Sequence, residues 1–202
     1  ADYMYQIYLK ADPDYEGRVT VPVFWDKTTN SIVNNESSEI VRIFNTSFNS
    51  LTGNSLDFYP GALQQEIDAV NERVYHDINN GVYKAGFATE QSVYEEEYYR
   101  VFDALDWLEQ RLTDSHYLVG DQLTEADWRL FTTLIRFDTV YHGHFKLNRN
   151  KISEMPVLAN YVARLAAYPG IAETINQDHI KRHYYGSHSS INPTGVVPLG
   201  PA

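Results

Sequence analysis

The chain has 202 residues, no cysteine, and 27 acidic residues against 16 Lys and Arg, which gives a formal net charge of −11 at pH 7. This balance excludes a general nucleic-acid binder, because such a protein needs a basic surface to neutralise phosphates. No apolar run reaches the length of a membrane span, and the chain opens without the basic and apolar regions of a signal peptide. We therefore expect a cytoplasmic protein with no nucleic-acid or membrane partner.

The first elements along the chain are two short strands and a helix. β-Branched and aromatic residues predict strands at 19–25 and 31–33, separated by a polar turn. Pro22 has no backbone N–H to donate to a ladder, which assigns the first strand to a sheet edge or to a special backbone site. Apolar residues on one face then predict a helix over residues 36–48. Residues 1–48 therefore form a small α/β segment.

The remainder of the chain is predicted to be helical after a short linker. Residues 49–59 are rich in Asn, Ser, Thr and Gly, which is the composition of a linker. Apolar residues recur at three- and four-residue steps across 60–186, which predicts a bundle of amphipathic helices. The Pro- and Gly-containing segment 187–202 is expected to be an irregular tail. The fold class is therefore mainly α.

Local signals mark where individual helices start and stop. Thr124 and Asp127 have the spacing of a capping box, in which each residue bonds the backbone N–H of the other. Gly81 and Gly86 are predicted to bracket a break between the first two long helices, because glycine lowers helix stability.

A first candidate binding site combines residues 18–22 with the helix start at Glu36 and Ser37. A helix N-terminus presents unpaired N–H groups to a carboxylate, Ser37 can add a hydroxyl, and Glu36 can accept from an ammonium, as an α-amino-acid head group requires. If the peptide bond before Pro22 is cis, the backbone of Val21 would face outward and pair with an extended peptide. The alternative is that Glu36 and Ser37 only cap the helix.

A second candidate set contains tyrosines at the ends of predicted elements: Tyr83, Tyr141 and Tyr184. A buried tyrosine near cations can have its pKa lowered, which makes its hydroxyl a usable proton donor or acceptor. The alternative is that these residues are core aromatics whose hydroxyls are hydrogen-bonded.

The histidines do not predict a metal site. His179 and His183 have the spacing of a zinc-binding helix, but no Glu lies between them and no third ligand is near in sequence. His142 and His144 would diverge on a helix. We interpret both pairs as surface or structural polar groups.

Longer blocks of sequence resemble one known family. A Val-Pro strand, a Glu-Ser helix start, a linker and a Thr-x-x-Asp box are together similar to the cytosolic glutathione transferases. More narrowly, the chain resembles the S-glutathionyl-hydroquinone reductases, or Xi-class transferases. The blocks that carry this resemblance span essentially the whole chain: 21–27, 32–40, 79–88, 123–134, 136–141, 144–146, 179–185, 192–195 and 199–201.

The resemblance implies a fold and a glutathione site. The expected fold is a transferase C-terminal helical bundle preceded by the C-terminal half of a thioredoxin-like domain. Glutathione, as co-substrate, would lie against residues that match the family's binding site: Arg18, Val19, Thr20, Val21, Glu36 and Ser37. The resemblance also implies a homodimer.

The family's reaction is the glutathione-dependent reduction of S-glutathionyl-hydroquinones, with release of glutathione disulfide. By resemblance, Tyr83 transfers a proton to the leaving hydroquinone, and Tyr141 and Tyr184 flank the active thiol and favour its thiolate. The chain departs from the pattern because the family's nucleophilic cysteine lies upstream of the matched residues. We therefore expect an N-terminally truncated chain that is inactive alone.

Two other functions remain open at this stage. An omega-type thiol transferase or dehydroascorbate-type reductase has the same fold. A non-catalytic binding module could also use it, since a fold does not dictate a function.

Overall fold

The computed structural model describes residues 1–200, and the last two residues of the predicted tail lie outside this range. The chain divides after Tyr59 into two compact units, which we call unit 1, Ala1–Tyr59, and unit 2, from Pro60 onward. No helix among the described residues is both long enough and apolar enough to span a membrane.

Unit 1 contains a two-stranded hairpin and three helices. The strands are antiparallel, Trp25 lies opposite Ile32, and the register is irregular between Phe24 and Trp25. The elements in chain order are α1 (Met4–Ala11), β1 (Phe24–Asp26), β2 (Ser31–Asn34), α2 (Ser37–Thr46) and α3 (Asn49–Thr52).

Unit 1 differs from the sequence prediction in three places. Strand β1 begins at Phe24 and not at residue 19, because the four-residue β2 pairs only with Phe24–Asp26. Helix α1 was not predicted from the sequence. The linker 49–59 contains the short helix α3, which ends at Gly53 with φ of 70°, a left-handed conformation that glycine adopts without strain.

Within residues 60–200, all the regular structure of unit 2 is helical, which confirms the mainly α fold class. Two of its helices pass directly into single π turns, and the unit also contains two short 3₁₀ turns. The helices are α4 (Gln64–Val74), α5 (Gly81–Gly86), α6 (Gln91–Arg111), α7 (Glu125–Arg136), α8 (Pro156–Ala166) and α9 (Gln177–Ser187). The π turns are Tyr75–Asn79, after α4, and Phe137–Tyr141, after α7.

The predicted break between Gly81 and Gly86 is wrong, because these residues are the first and last of α5. Their role is close packing. A Cβ at Gly81 would lie 2.9 Å from the Val101 side chain, and a Cβ at Gly86 would lie 2.2 Å from the Phe145 ring. Both glycines therefore bring α5 against neighbours that would not fit beside a larger residue.

The capping box at the start of α7 is confirmed and extends beyond the cap. The buried carboxylate of Asp127 accepts the N–H and hydroxyl of Thr124, the N–H of Leu118 at 2.9 Å and the Tyr161 hydroxyl at 2.8 Å. Burial raises the pKa of Asp127, although these donors act in the opposite direction. One carboxylate thus joins α7, α8 and the loop before them.

Candidate functional site

The three candidate tyrosines of unit 2 form one hydrogen-bonded cluster, which we call the tyrosine cluster. Tyr83 lies on α5, Tyr141 is the last residue of the second π turn, and Tyr184 lies on α9. The Tyr184 hydroxyl is 2.9 Å from the Tyr141 hydroxyl and is also hydrogen-bonded to the Tyr83 hydroxyl. Tyr184 is therefore the central member, and the structure brings together residues separated by up to 101 positions.

The cluster runs from the interior of unit 2 to its surface. The exposed fraction is 2% for Tyr141, 6% for Tyr184 and 37% for Tyr83. The ring of Phe145 stacks on Tyr141 at 5.4 Å and meets the edges or faces of the other two tyrosines at 5.5 and 6.0 Å. Because Gly86 leaves room for Phe145, α5 can approach closely enough for Tyr83 to join the cluster.

The pKa direction expected for these tyrosines is wrong for the two buried members. Burial raises the pKa of Tyr141, and the neighbouring hydroxyls of Tyr184 and Tyr83 add to this effect. Burial also raises the pKa of Tyr184, and the nearby cation Arg136 lowers it by less. Both hydroxyls are therefore protonated at neutral pH, so they act as hydrogen-bond donors and not as bases.

The arrangement can deliver a proton at its exposed end. Each hydroxyl carries one proton, so a chain in which Tyr141 donates to Tyr184 and Tyr184 donates to Tyr83 leaves the Tyr83 proton free. If Tyr83 transfers this proton to a bound molecule, the resulting tyrosinate keeps a hydrogen bond from Tyr184. Such charge-assisted hydrogen bonds are stronger than neutral ones, which favours transfer.

In unit 1, Glu36 caps helix α2 as the alternative interpretation required. Its Oε1 atom accepts from the N–H of Ser38 at 3.3 Å and from the Ser38 hydroxyl at 3.2 Å. Glu36 Oε2 has no hydrogen-bond partner among the described residues, and neither the N–H nor the hydroxyl of the exposed Ser37 has one. Capping therefore occupies only part of the hydrogen-bonding capacity of this helix start.

The other unit 1 candidates, Arg18, Val19, Thr20 and Val21, form an exposed segment before the hairpin. The peptide bond between Val21 and Pro22 is cis. Within residues 1–200 the backbone N–H and carbonyl of Val21 make no hydrogen bond, and the Arg18 guanidinium has no ion-pair partner. The segment thus presents free backbone and cationic groups at the surface of unit 1.

Two tyrosines that sequence analysis missed hold this segment. Tyr8 on α1 donates its hydroxyl proton to the Thr20 carbonyl at 2.9 Å and accepts from Asn35 Nδ2 at 3.0 Å. Tyr15 donates to the Arg18 carbonyl at 2.8 Å. No pattern at Tyr8 or Tyr15 indicated these contacts, and the best available signal was the density of tyrosine in the first fifteen residues.

The histidines are arranged differently from a metal site. His179 and His183 are both exposed on α9, whereas His144 is buried and its Nε2 lies 3.2 Å from His188 Nδ1. Burial lowers the pKa of His144 and of His188. Across residues 1–200, no group of three or more His, Cys, Asp or Glu side chains is placed to hold a metal ion.

Comparison with known proteins identifies the family to which the chain is related. The glutathione S-transferase C-terminal domain family matches residues 91–164. The chain is 57% identical over 202 residues to the glutathionyl-hydroquinone reductase PcpF of Sphingobium chlorophenolicum, a match covering 100% of this chain and 64% of that protein. It is 54% identical over 200 residues to the glutathionyl-hydroquinone reductase YqjG of Escherichia coli (strain K12), covering 99% of this chain and 61% of that protein.

Solved structures agree with these relatives. The glutathione-bound structure of YqjG from Escherichia coli K-12 matches with a TM-score of 0.97 and covers 99% of this chain and 65% of that one. Glutathione transferase Xi 1 from Trametes versicolor matches with a TM-score of 0.96 at 52% identity, covering 100% of this chain and 70% of that one. The helical unit thus has the fold of a glutathione transferase. The chain belongs to the Xi class of glutathione transferases.

Membership of this class confirms the family resemblance found in the sequence. The chain spans less than two thirds of the length of the two reductases, PcpF and YqjG, that it matches.

Proposed function

We propose that the complete polypeptide containing this chain reduces S-glutathionyl-hydroquinones to hydroquinones at the expense of glutathione. A protein thiolate attacks the glutathione sulfur, the carbon–sulfur bond breaks, and the ring takes the electron pair and one proton. A second glutathione then reduces the mixed disulfide and leaves as glutathione disulfide, while its thiol proton balances the proton given to the ring. The observation that carries this proposal is the tyrosine cluster, with Tyr83 as its single exposed member, in a chain 57% identical to a glutathionyl-hydroquinone reductase.

In this proposal Tyr83 is the proton donor to the leaving hydroquinone. Tyr83 is the exposed member of the cluster, and Tyr184 supports the developing tyrosinate with a hydrogen bond. Tyr141 in turn supports Tyr184 and keeps the interior end protonated, because burial raises the pKa of both residues. Tyr141 and Tyr184 also flank the cysteine thiol in this proposal and favour its thiolate by donating to it before the relay to Tyr83 forms, because one hydroxyl proton serves one acceptor at a time.

Unit 1 supplies glutathione recognition. The free backbone groups of Val21 pair with the peptide part of glutathione, and Arg18 attracts its carboxylate. Glu36 Oε2 accepts from the γ-glutamyl ammonium, and the free N–H and hydroxyl of Ser37 donate to the neighbouring carboxylate. Val19 and Thr20 complete the strip of backbone against which the ligand extends.

The nucleophile must come from outside these 202 residues, because the chain contains no cysteine. A cysteine at a helix N-terminus or near hydrogen-bond donors has a depressed pKa, so it is present as the thiolate that attacks the thioether sulfur, and glutathione later releases it from the mixed disulfide. We expect the chain alone to bind glutathione without turnover. We expect the complete protein to be a cytoplasmic homodimer, and sedimentation of the purified protein tests the dimer.

The test is turnover by the complete protein with a glutathionyl-hydroquinone and glutathione, followed by chromatography of free hydroquinone and glutathione disulfide in a 1:1 ratio. The Tyr83→Phe variant should lose roughly 100-fold or more in kcat, the typical contribution of a general acid. Tyr99→Phe is the matched control, because Tyr99 is an exposed tyrosine of unit 2 outside the cluster, and it should retain full activity.

Other outcomes decide between the alternatives. Rapid reduction of small disulfides or dehydroascorbate with intact glutathionyl-hydroquinones would overturn the proposal in favour of an omega-type thiol transferase. Glutathione binding without turnover of either substrate class by the complete protein would indicate a binding module.

A further inference from the structure

Tyr8 is the only buried residue that the structure describes in unit 1. Its exposed fraction is 2%, and every other residue from Ala1 to Tyr59 is at least partly exposed. It lies on the inner side of α1, a helix outside the proposed glutathione site. A tyrosine so placed has an apolar ring for packing and a hydroxyl that needs partners, so the positions of those partners indicate what the residue does.

The Tyr8 hydroxyl uses its full hydrogen-bonding capacity on two segments. It donates to the Thr20 carbonyl at 2.9 Å, and it accepts from Asn35 Nδ2 at 3.0 Å and from the Thr20 N–H at 3.4 Å. Thr20 directly precedes Val21, and Asn35 directly precedes Glu36. One oxygen atom therefore connects the two segments that carry the proposed glutathione ligands and holds them side by side.

Tyr15 secures the other end of the first segment. Its ring lies 4.8 Å from the Tyr8 ring, and its hydroxyl donates to the Arg18 carbonyl at 2.8 Å. A Cβ at Gly17 would lie 2.6 Å from the Tyr15 hydroxyl oxygen, so glycine at this position keeps the path of that side chain open. The two tyrosines, whose rings are in contact, thus fix Arg18 and Thr20 on either side of Val19.

Little else holds this segment. Strand β1 begins only at Phe24, and among the described residues no backbone–backbone hydrogen bond outside helices and strands involves residues 18–21. Ordering a free backbone costs about 1–2 kcal/mol per residue, so a binding strip that is already fixed binds its ligand more tightly than a mobile one. The tyrosine hydroxyls are the contacts that hold this strip in place before ligand binding.

We infer that Tyr8 is a positioning residue for glutathione binding, whose hydroxyl holds the Thr20–Val21 backbone in fixed register with the Asn35–Glu36 helix start. Tyr15 assists by holding Arg18. This inference rests on the proposed function, because it takes Val21 and Glu36 as glutathione ligands. Tyr8 itself contacts neither glutathione nor the reacting atoms.

The test compares Tyr8→Phe with Tyr5→Phe in the complete polypeptide. Phenylalanine keeps the packed ring of Tyr8 and removes only the bridging hydroxyl. Tyr5 lies on the same helix, and its exposed hydroxyl has no hydrogen-bond partner among the described residues, so its loss is a matched control. Glutathione affinity is measured by titration calorimetry, and KM and kcat are measured at varied glutathione.

We expect Tyr8→Phe to weaken glutathione binding about tenfold, because the loss of about one net hydrogen bond corresponds to one factor of ten in Kd. KM for glutathione should rise by a similar factor, while kcat at saturating glutathione stays within about twofold, since bound ligand restores the order of the strip. Tyr5→Phe should change neither quantity.

Asn35→Ala removes the hydrogen bond between Asn35 Nδ2 and the Tyr8 hydroxyl by changing an exposed residue. This variant replaces Tyr8→Phe if Tyr8→Phe fails to fold. In the double variant the two losses should not add, because both substitutions break one shared contact. Unchanged affinity in Tyr8→Phe, or equal losses in kcat and affinity, would overturn the inference. Failure of the wild-type protein to cleave glutathionyl-hydroquinones would overturn the proposed function and leave the affinity comparison intact.

Discussion

Unit 1 and unit 2 are each stabilised by a different kind of interaction. Unit 2 contains the buried apolar core, with residues such as Ile67, Phe102 and Leu130 fully enclosed, whereas unit 1 buries only Tyr8. Burying a large apolar side chain contributes about 1.5–3 kcal/mol without requiring any particular atom as a partner. Hydrogen bonds at exposed segments, as in unit 1, depend on individual atoms. We therefore expect unit 2 to be sensitive to changes of volume and buried charge, and unit 1 to changes of single hydroxyls.

The largest expected effect on stability concerns two aspartates, one in each unit, whose carboxylates both accept hydrogen bonds from the backbone. Asp127 in unit 2 and Asp26 in unit 1 both accept backbone N–H groups, but Asp127 is buried and also accepts two hydroxyls. Asp127→Ala leaves several buried donors unpaired and should lower the free energy of unfolding of unit 2 by about 3 kcal/mol or more. Asp26→Ala should cause a far smaller loss in unit 1.

Urea unfolding followed by local tryptophan fluorescence measures this difference, because Trp25 reports on unit 1 while Trp107 and Trp128 report on unit 2. Each tryptophan is followed alone after the others are replaced by Phe. Equal losses for the two aspartates would contradict this expectation, since burial would then not determine the loss of stability.

The next effect concerns the space available for a side chain at Gly86, in the interior of unit 2. Gly86→Ala places a methyl group inside the Phe145 ring position and should destabilise unit 2 by about 1–3 kcal/mol, as overpacked core sites do. Gly186→Ala on α9 is the matched control, because a Cβ there meets nothing within 4 Å. It should be neutral or stabilise by about 0.5–1 kcal/mol, the usual difference between Ala and Gly within a helix. Similar stabilities for the two variants would show that the α5 contact is loose.

The smallest effect is a pH dependence confined to unit 2, because none of the seven histidines lies in unit 1. Burial lowers the pKa of His144 in the folded protein, with further effects of the same sign from His188 and Lys146. As pH falls through about 6.5, the ordinary histidine value, the unfolded chain binds a proton first. The contribution of His144 to stability is therefore present above this pH and is lost as pH falls toward its folded pKa.

Amide exchange between pH 5 and 8, corrected for the intrinsic pH dependence of exchange, measures this effect by segment. Protection in unit 2 should fall at the acid end by more than in unit 1, and His144→Asn should reduce the difference. An equal change in both units would assign the effect to other groups.

The sequence predicted unit 2 better than unit 1 for the same physical reason. Helical periodicity records which face is buried, so the bundle was predicted together with the capping box of Thr124 and Asp127. The contacts of Tyr8 with Thr20 and Asn35 leave no periodic pattern, because they join single atoms 12 and 27 residues apart. Helix α1 was missed in consequence.

The site was predicted by resemblance more than by chemistry. Nothing local to Tyr83, Tyr141 or Tyr184 shows that their hydroxyls meet, and the expected direction of the pKa shift was wrong because burial is not visible in the sequence. Gly86 illustrates the same limit. The sequence alone does not show whether a glycine ends a helix or makes room for a neighbouring ring. At Gly86 only the position of Phe145 shows the second role.

The π turn that ends at Tyr141 relates chain length to side-chain direction. Each residue advances an α-helix by about 100°, so one additional residue kept in regular helical geometry would rotate everything after it by that angle. A π turn holds the additional residue within a single wider turn, so the residues on either side keep their directions. Deletion of Thr139 would leave this turn one residue short, so the direction of the Tyr141 hydroxyl depends on the number of residues before it as much as on their identity.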